Sequence, residues 1–584
     1  MRSFVFVLIS LFFSSAQLVF SQRGGAGKTI YVSKSGNDLN EGSRLKPYLT
    51  ISKAAACARP GTRVLIAQGT YRESVVLACG GDSSARIIFA ALQKGKVFIK
   101  GSDVVRNWVR LNRRVWKAKI GAGHNKEVFY IDGRVFLNKS KYAKSHTLDW
   151  TLTEEKGERF LSIDFGEKSP GDYLIERVVR TSGIGVSAKV NYVSLIGIDI
   201  SQVFTDQASL YGVQQGAITV RDGKGWLIEA CTIHDCSSVG IAIGIQGHPY
   251  ENANFQQPEF GDLTDLNQVG HHVIRNNYIY RCDQAGIFGL LGGSGSEISN
   301  NLITDIGGED DQSGQTAAGI RLAVAIDVQV THNTIRNIQG LRGTGLFLGP
   351  LFQGARVSGN VISGTTGPLI CLFKSHGPVL LDNNILVQKG NNGAGIDMLS
   401  AEANVFVQNL FYNCSFLNRI ETGKAVSTSN YLPHSLVIKQ TIPALNIDHR
   451  WFSNLFLVRG LDLGPCTGCQ VDYNLYANGA HPVKWADKGS TQVSKMIKSL
   501  WNENPWGLTL RLDYRELPQM EIPMMNANRF GFFSLSKQFI ETPSGAPITI
   551  DTDFFGHHRK STLQVPGPFD RATGLSRSFK LSHY

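Results

Sequence analysis

The chain has 584 residues, of which 42% are hydrophobic, 18% are charged and 62 are glycine. Globular proteins average about 25% charged residues and about 7% glycine, so this composition excludes a disordered chain, a coiled coil and a solvated helical bundle. Frequent glycine with little charge favours an all-β protein whose chain turns often and buries its strands on more than one side.

The formal net charge of +12 favours anionic partners. An acidic or sulfated polysaccharide competes here with the simpler interpretation of an unspecific basic surface. The sequence has no Lys/Arg-rich run and no nucleic-acid motif, so we expect no nucleic-acid partner.

Residues 1–22 are predicted to be a cleaved signal peptide. Arg2 precedes an apolar run from Phe4 to Phe13, and small residues surround the expected cleavage position. The run is too short to span a membrane, and no later segment reaches 18 apolar residues. We therefore expect a secreted or periplasmic protein with no membrane span.

Residues 23–103 are predicted to begin a solenoid. They contain a strand, a polar loop, a short helix over 51–58 and a second strand. A helix here would cap the open end of the solenoid, which otherwise exposes strand edges. Longer strands such as WVRLNRRVWKAKI follow in residues 104–185, and they predict an inserted β-sandwich.

Residues 186–480 carry a repeat of short apolar strands with Asn at a fixed place. The marks are Asn277, Asn301, Asn333, Asn360, Asn384, Asn409, Asn454 and Asn474. Most of them follow one another at roughly 24 residues, and this period with β-branched alternation suits one coil of a parallel β-helix. We expect the Asn at a bend that tolerates the left-handed conformation, with its amide bonded along the stack.

The longer steps in this repeat indicate inserted loops at about 302–320 and 412–445, where we expect a cleft. The first loop carries an acidic cluster at residues 309–311, which is either a solvated turn or a relocated catalytic acid or cation site. Residues 481–584 are predicted to form a last coil and a tail that packs on the solenoid.

The nine cysteines are scattered and odd in number, so at least one stays unpaired. Cys466-Thr-Gly-Cys469 is either a short disulfide or half of a zinc site. Because no second CxxC and no clustered His pair is present, we expect no metal and no cofactor.

Several stretches together resemble glycoside hydrolase family 120, a β-xylosidase family. They are SGNDLNEGSRLKPYLTISKAAACARPGTRVLIAQGTYRE, VGHHVIRNNYIYRCDQAGIFGLLGG, AGIRLAVAIDVQVTHNTIRN, FQGARVSGN, SHGPVLLDNNI, LPHSL, NIDHRWFSNLF and TIDTDFFGHHR. Their order and spacing carry the resemblance over most of the chain. It implies a right-handed parallel β-helix, a pectin-lyase-like solenoid, with an inserted β-sandwich.

The resemblance also implies retaining hydrolysis, which needs two carboxylates about 5–5.5 Å apart. The positions that match the family's nucleophile and acid/base here are Gly349 and Phe373, which stand one repeat apart in the sequence. Neither residue is an acid, and the segments around them contain no carboxylate. Xylosidase activity by the family's route is therefore not expected.

The remaining polar residues supply two sets of candidates. For substrate binding, one candidate is Arg321, a cation at a position that matches the family, and another is Gln284, whose amide is expected in the cleft. Asp448 and Arg450 are a further candidate pair, which is alternatively an internal ion pair. For catalysis it offers Lys374 and His376 beside the lost acid, and Asp397 as a relocated acid. Asp397 follows Phe373 at the same spacing at which Phe373 follows Gly349, so we expect it one coil further along the same stack.

Three functions compete on these residues. The first is an exported glycoside hydrolase that acts on anionic plant or algal oligosaccharides, sulfated or uronate-bearing, with a rearranged active site. The second is a polysaccharide lyase that uses Lys, Arg or His in place of carboxylates. The third is a non-catalytic glycan-binding relative, which the loss of both acids would fit.

Overall fold

The structure is a computed structural model. It describes residues 27–570 apart from 122–123, 125–126, 137–147, 206–213, 246–267, 309–316, 391–393, 421–426, 444, 465, 484–488, 505–506, 513–515 and 560–561. The predicted signal peptide and the acidic cluster at 309–311 lie outside the described residues and stay predictions.

The chain is a right-handed parallel β-helix built from three long parallel sheets, which we call A, B and C. The strands of sheet A are Thr29–Val32, Arg63–Ile66, Ile87–Ala91, Val193–Ile196, Leu227–Glu229, Val273–Arg275, Glu297–Ser299, Gln329–Thr331, Ala355–Ser358, Val379–Asp382, Asn404–Val407, Arg450–Phe452 and Gln470–Asp472. Each complete coil visits sheets A, B and C in turn. The solenoid predicted from the Asn repeat is therefore confirmed.

Sheets B and C complete the coil. The strands of sheet B are Gly69–Tyr71, Val97–Lys100, Asp199–Val203, Thr232–Cys236, Tyr278–Cys282, Leu302–Ile306, Thr334–Ile338, Val361–Thr365, Ile385–Val387, Leu410–Tyr412, Leu455–Leu457, Leu475–Ala477 and Thr491–Gln492. Those of sheet C are Val75–Leu77, Ile184–Val186, Gly216–Thr219, Val239–Ala242, Ala285–Leu290, Ala318–Ala323, Thr344–Leu348, Ile370–Ser375, Ile396–Ala401 and Phe416–Arg419. The main core fills the space between the three sheets.

The predicted Asn marks form one buried ladder at the bend between sheets A and B. From Asn301 to Asn474, the side-chain oxygen of each Asn accepts bonds of 2.9–3.0 Å from the backbone N–H and the amide of the preceding mark. One detail of the expectation is wrong. The left-handed residue is the one before each mark, as at Asn276 and Asn300, because the bend turns there and the ladder Asn follows it.

A short helix, Ile51–Cys57, covers the first coils as predicted. The Thr50 hydroxyl accepts from the Lys53 N–H and begins the helix, while Ile51, Ala54 and Ala55 face the core. Within the part of the chain that the structure describes, the other helices are Ala527–Phe530 and a 3₁₀ turn, Pro170–Asp172. Within the described residues, no helix is long and apolar enough to cross a membrane.

The insert consists of two four-stranded antiparallel sheets that enclose a separate core. One sheet has strands Ser102–Val104, Phe129–Ile131, Arg134–Val135 and Ile175–Val178, and the other has Val109–Arg110, Val115–Ile120, Asp149–Glu155 and Glu158–Asp164. Its strands thus span 102–178 rather than the expected 104–185, since Ile184–Val186 already pairs with sheet C strands on both sides.

Two later segments pack on the outside of the β-helix. A hairpin, Ser427–Tyr431 and Ile438–Pro443, brings Tyr431 and Leu436 onto the outer face of the earlier sheet C coils. The chain after residue 499 forms the pairs Ser499–Asn504 with Gly507–Leu512, Met520–Glu521 with Leu563–Gln564, and Met525–Asn526 with Thr549–Ile550. These pairs cover the outer faces of sheets A and B in the late coils. A final small pair, Ala325–Ile326 with Phe352–Gln353, links two bends.

Candidate functional site

The two positions that the resemblance matches to the family's acids, Gly349 and Phe373, lie on the outer face of sheet C, which we call the sheet C face. Alternate residues of these strands point into the core, as Ile320, Leu346 and Ile370 do, so the residues between them point outward. Two outward columns run across the coils. The first is Phe288, Arg321, Phe347, Cys371, Asp397 and Leu417, and the second contains Phe373, Leu399 and Arg419 with Gly349 beside Phe373.

Gly349 has no room for a side chain. A Cβ at this position would lie 1.9 Å from the Phe373 carbonyl oxygen and 3.0 Å from the Phe373 Cβ, and the backbone φ is +133°. The two positions are therefore neighbours on adjacent coils, as the resemblance implies. The close backbone approach at Gly349 leaves no space for a nucleophilic carboxylate, because any L side chain would need the backbone to move.

Aromatic rings and cations occupy the surrounding surface. The Arg321 guanidinium lies between two rings, 4.8 Å from the centre of Phe347 and 5.9 Å from that of Phe288. The rings of Phe347 and Phe373 are 6.0 Å apart, and the Lys374 Nζ is 5.1 Å from the centre of Phe373. These contacts hold Arg321 and Lys374 beside an aromatic surface.

The expectation that Asp397 continues the column of Phe373 is wrong. Asp397 pairs with Cys371, and Leu399 takes the place beside Phe373, because this coil is longer than the coil before it. Asp397 is 7% exposed and forms a two-pronged ion pair with Arg419, whose Nε is 3.2 Å from Oδ1 and whose Nη2 binds Oδ2. It is the one carboxylate among the described residues of the two columns.

Cys371 lies between Phe347 and Asp397 in the first column and is buried. Burial, reinforced by the negative charge of Asp397, raises the pKa of its thiol to about 12, although Arg419, Arg321 and Arg342 oppose the shift. The guanidiniums of Arg321 and Arg419 and the Lys374 ammonium outnumber the single carboxylate among the described residues of the two columns. The sheet C face therefore carries a net positive charge.

His376 lies two residues after Lys374 and is only 2% exposed. Its Nδ1 is 2.9 Å from Oε2 of Glu402, which is fully buried and accepts at Oε1 from the Leu445 N–H at 2.8 Å. Sequence reasoning missed Glu402, since the extra length of this coil hides its alignment with His376. The contact makes His376 a link between coils, and its role toward substrate stays a prediction.

Three predicted substrate-binding residues lie away from this face. Gln284 is 4% exposed and accepts from the Ser238 hydroxyl at 2.7 Å, in the bend before sheet C. Asp448 and Arg450 form an ion pair of 2.7 Å at sheet A, where Arg450 also donates to the Phe530 carbonyl. This pair attaches the C-terminal segment to the coils, which is the internal role weighed against substrate binding.

A second missed cluster joins three distant segments. Nδ1 of His434, in the outer hairpin, is 2.9 Å from Oδ2 of Asp327, and its Nε2 is 3.1 Å from Oε2 of Glu541 in the C-terminal segment. Burial raises the pKa of Asp327 to about 6, and the two carboxylates raise the pKa of His434 against the effect of burial. The sequence gives little indication of this cluster, because Asp327 and Glu541 each lie 107 positions from His434 along the chain.

The structure joins Cys466 and Cys469 in a disulfide, the first of the two alternatives for this motif. Within the described residues, no group of three His, Cys, Asp or Glu side chains is arranged to hold a metal ion.

Comparisons with known proteins agree with this architecture. A family model described as "Right handed beta helix region" matches residues 216–375, and one described as "Protein of unknown function (DUF1565)" matches residues 34–76. Uncharacterized protein YwoF of Bacillus subtilis (strain 168) is 34% identical over 110 residues, which are 18% of this chain and 24% of that protein. The chain thus matches less than two thirds of that relative's length.

Among solved structures, "The complex structure of XylC with xylose" matches with a TM-score of 0.78 and 23% identity, covering 94% of this chain and 99% of the other. A structure described as "Glycoside hydrolase" matches with a TM-score of 0.45 and 12% identity over 68% of this chain and 97% of the other. The likeness to XylC concerns the fold, and it confirms the β-helix with an inserted sandwich that the resemblance implies.

Proposed function

We propose that this is an exported, carbohydrate-active protein that binds an anionic oligosaccharide, sulfated or uronate-bearing and of plant or algal type, on the sheet C face. One observation carries the proposal. Arg321, Lys374 and Arg419 lie near Gly349 and Phe373, the two positions that the resemblance matches to the family's acids.

The chemistry of these groups suits such a ligand. A guanidinium presents several donors in a plane and binds carboxylate or sulfate oxygens in pairs. The rings of Phe347 and Phe373 offer an apolar surface against which the C–H face of a sugar can pack. The net positive charge also favours approach of an anionic chain over a neutral one.

Hydrolysis is the second candidate, and Asp397 carries it. As the one carboxylate of the described columns, Asp397 would be the acid of a rearranged site, with Lys374 beside the lost acid/base position. The Arg419 contact fixes its orientation. Because Gly349 has no space for a carboxylate, the family's paired-carboxylate route is not part of this candidate.

The test compares sulfated, uronate-bearing and neutral oligosaccharides by calorimetry. We expect the anionic ligands to bind and Arg321→Ala to weaken them about tenfold or more, which is the loss of one charged contact. The control is Arg275→Ala on sheet A, an Arg outside the sheet C face whose side chain is 42% exposed and makes one ion pair, 2.9 Å to Glu229. Equal binding of neutral and anionic ligands, or equal effects of both variants, would contradict the proposal.

The same panel separates the catalytic alternatives. If the intact protein releases reducing sugar and Asp397→Asn does not, the protein is a hydrolase. Glu229→Gln on sheet A is the control, because it also removes an ion-paired carboxylate. An ultraviolet-absorbing unsaturated uronate identifies a lyase instead. Binding without either product identifies the non-catalytic protein.

A further inference from the structure

Apart from the sheet C face, the structure has a cleft of about 570 Å³ between the inserted sandwich and the bends that lead from sheet B to sheet C. Its volume is in the range of ligand pockets. None of its lining residues belongs to the sheet C face. The floor comes from successive coils, and the wall comes from the sandwich together with Phe204, which directly follows the sheet B strand Asp199–Val203.

The floor presents a row of polar side chains. Asp235, Arg281, Asp305 and Asn337 occupy equivalent places on four successive coils, and all four have left-handed backbone, with φ between 50° and 56°. Asp235 and Arg281 form two bonds of 2.6 and 2.7 Å, and the Asn337 amide donates to Asp305. Gln339, beside the row, donates to the Asn337 side-chain oxygen at 2.7 Å.

The wall is aromatic and held in place. The Trp150 indole N–H donates to the Phe136 carbonyl at 3.2 Å, and its ring meets Phe129 edge-on at 4.9 Å. Phe204 stacks on His124 with ring centres 4.5 Å apart. Trp150 and Phe204 are both partly exposed, so each offers a fixed ring face to the cleft.

The charge of the lining selects the ligand. Among the described lining residues, four carboxylates, Glu127, Asp235, Asp283 and Asp305, stand against one cation, Arg281. Glu127 is bound by Arg177 and Arg159, and Asp235 by Arg281. Asp305 remains exposed beside Gln339. The exposed Asp305 carboxylate disfavours an anionic chain at this point, whereas hydroxyl groups can donate to the carboxylates and accept from the amides.

We propose that this cleft binds an uncharged oligosaccharide lying along the row of coils. Coils repeat about every 4.8 Å, so polar groups meet an extended ligand at regular intervals, while Trp150 and Phe204 pack against its ring faces. The site is separate from the sheet C face and does not depend on the function proposed for it. The protein then has two glycan sites, one for an anionic oligosaccharide on the sheet C face and one for an uncharged oligosaccharide in the cleft.

The test measures binding of xylohexaose and cellohexaose by calorimetry. We expect the intact protein to bind at least one of them, and Asp305→Ala combined with Gln339→Ala to weaken binding about tenfold or more. Both side chains are exposed, so the fold should persist. The matched control is Glu167→Ala, an exposed sandwich carboxylate that lines no part of the cleft, and Arg321→Ala should leave this binding unchanged.

A fluorescence measurement gives independent evidence. Ligand should change the tryptophan emission, and Trp150→Phe should remove that change, while Trp116→Phe, in the same sandwich sheet but outside the lining, should retain it. The proposal is overturned if neither hexasaccharide binds below about 10 mM, if the cleft variants bind as the intact protein does, or if Arg321→Ala weakens both ligand classes equally. Failure of the sheet C proposal would not produce any of these results.

Discussion

Replacement of Gly349 by alanine should destabilise the coils that contain Gly349 and Phe373. The added Cβ would lie 1.9 Å from the Phe373 carbonyl oxygen and 2.8 Å from its carbon, and a non-glycine residue would have to hold a φ of +133°. Such backbone strain costs on the order of 1–3 kcal/mol, and the steric overlap adds about 1–3 kcal/mol. We therefore expect a loss of about 2–6 kcal/mol in the free energy of unfolding of these coils.

Gly390→Ala is the matched control for this prediction. Gly390 also has a positive φ, +65°, but no atom lies within 4 Å of its virtual Cβ, so the variant adds strain without overlap. Because repeat proteins unfold coil by coil, the measurement is hydrogen exchange of the strands Thr344–Leu348 and Ile370–Ser375. Gly349→Ala should speed exchange there much more than Gly390→Ala does.

Equal exchange in the two variants would refute the reasoning, because it would show that the backbone at Gly349 adapts freely. The same result would reopen the paired-carboxylate mechanism. Under the present reasoning, Gly349→Asp with Phe373→Glu restores no xylosidase activity, since the first substitution displaces the second position.

Two further predictions concern buried polar groups. Asn360→Ala removes the acceptor for the Asn333 N–H and the donor to the Val330 carbonyl. The free energy of unfolding, measured in urea, should therefore fall by about 3–5 kcal/mol. A fall below about 1 kcal/mol would contradict the stabilising role of the ladder. Because the pKa of Asp327 is raised to about 6 from about 3.9 when unfolded, stability falls by about 2 kcal/mol as pH rises from about 4 to 6. The raised pKa of His434 adds stability below about 6.5 that is lost as pH rises further, through its folded-state pKa. Hydrogen exchange of residues 432–437, corrected for the intrinsic rate, measures how their protection changes with pH. Asp327→Asn should make this protection less dependent on pH between pH 4 and 6. An unchanged pH dependence would contradict the role given to the raised pKa of Asp327.

Local patterns determined much of the architecture. The Asn marks predicted the ladder because each coil repeats the same bend, with one amide bonding to the next. The helix at Ile51–Cys57 was readable from its position before the first coils, and the sandwich from the loss of the Asn pattern. The absence of carboxylates at Gly349 and Phe373 was also evident without coordinates.

The alignment of outward side chains was decided only by the tertiary structure. Each bend between strands can absorb extra residues without disturbing the Asn ladder, so an equal spacing along the chain does not by itself place two residues in one column. The longer coil moves Asp397 beside Cys371 and brings Glu402 to His376. Likewise, Asp327, His434 and Glu541 meet because an outer hairpin and the C-terminal segment fold back over the coils. Contacts between segments so distant along the chain depend on three-dimensional packing, which no local periodicity records.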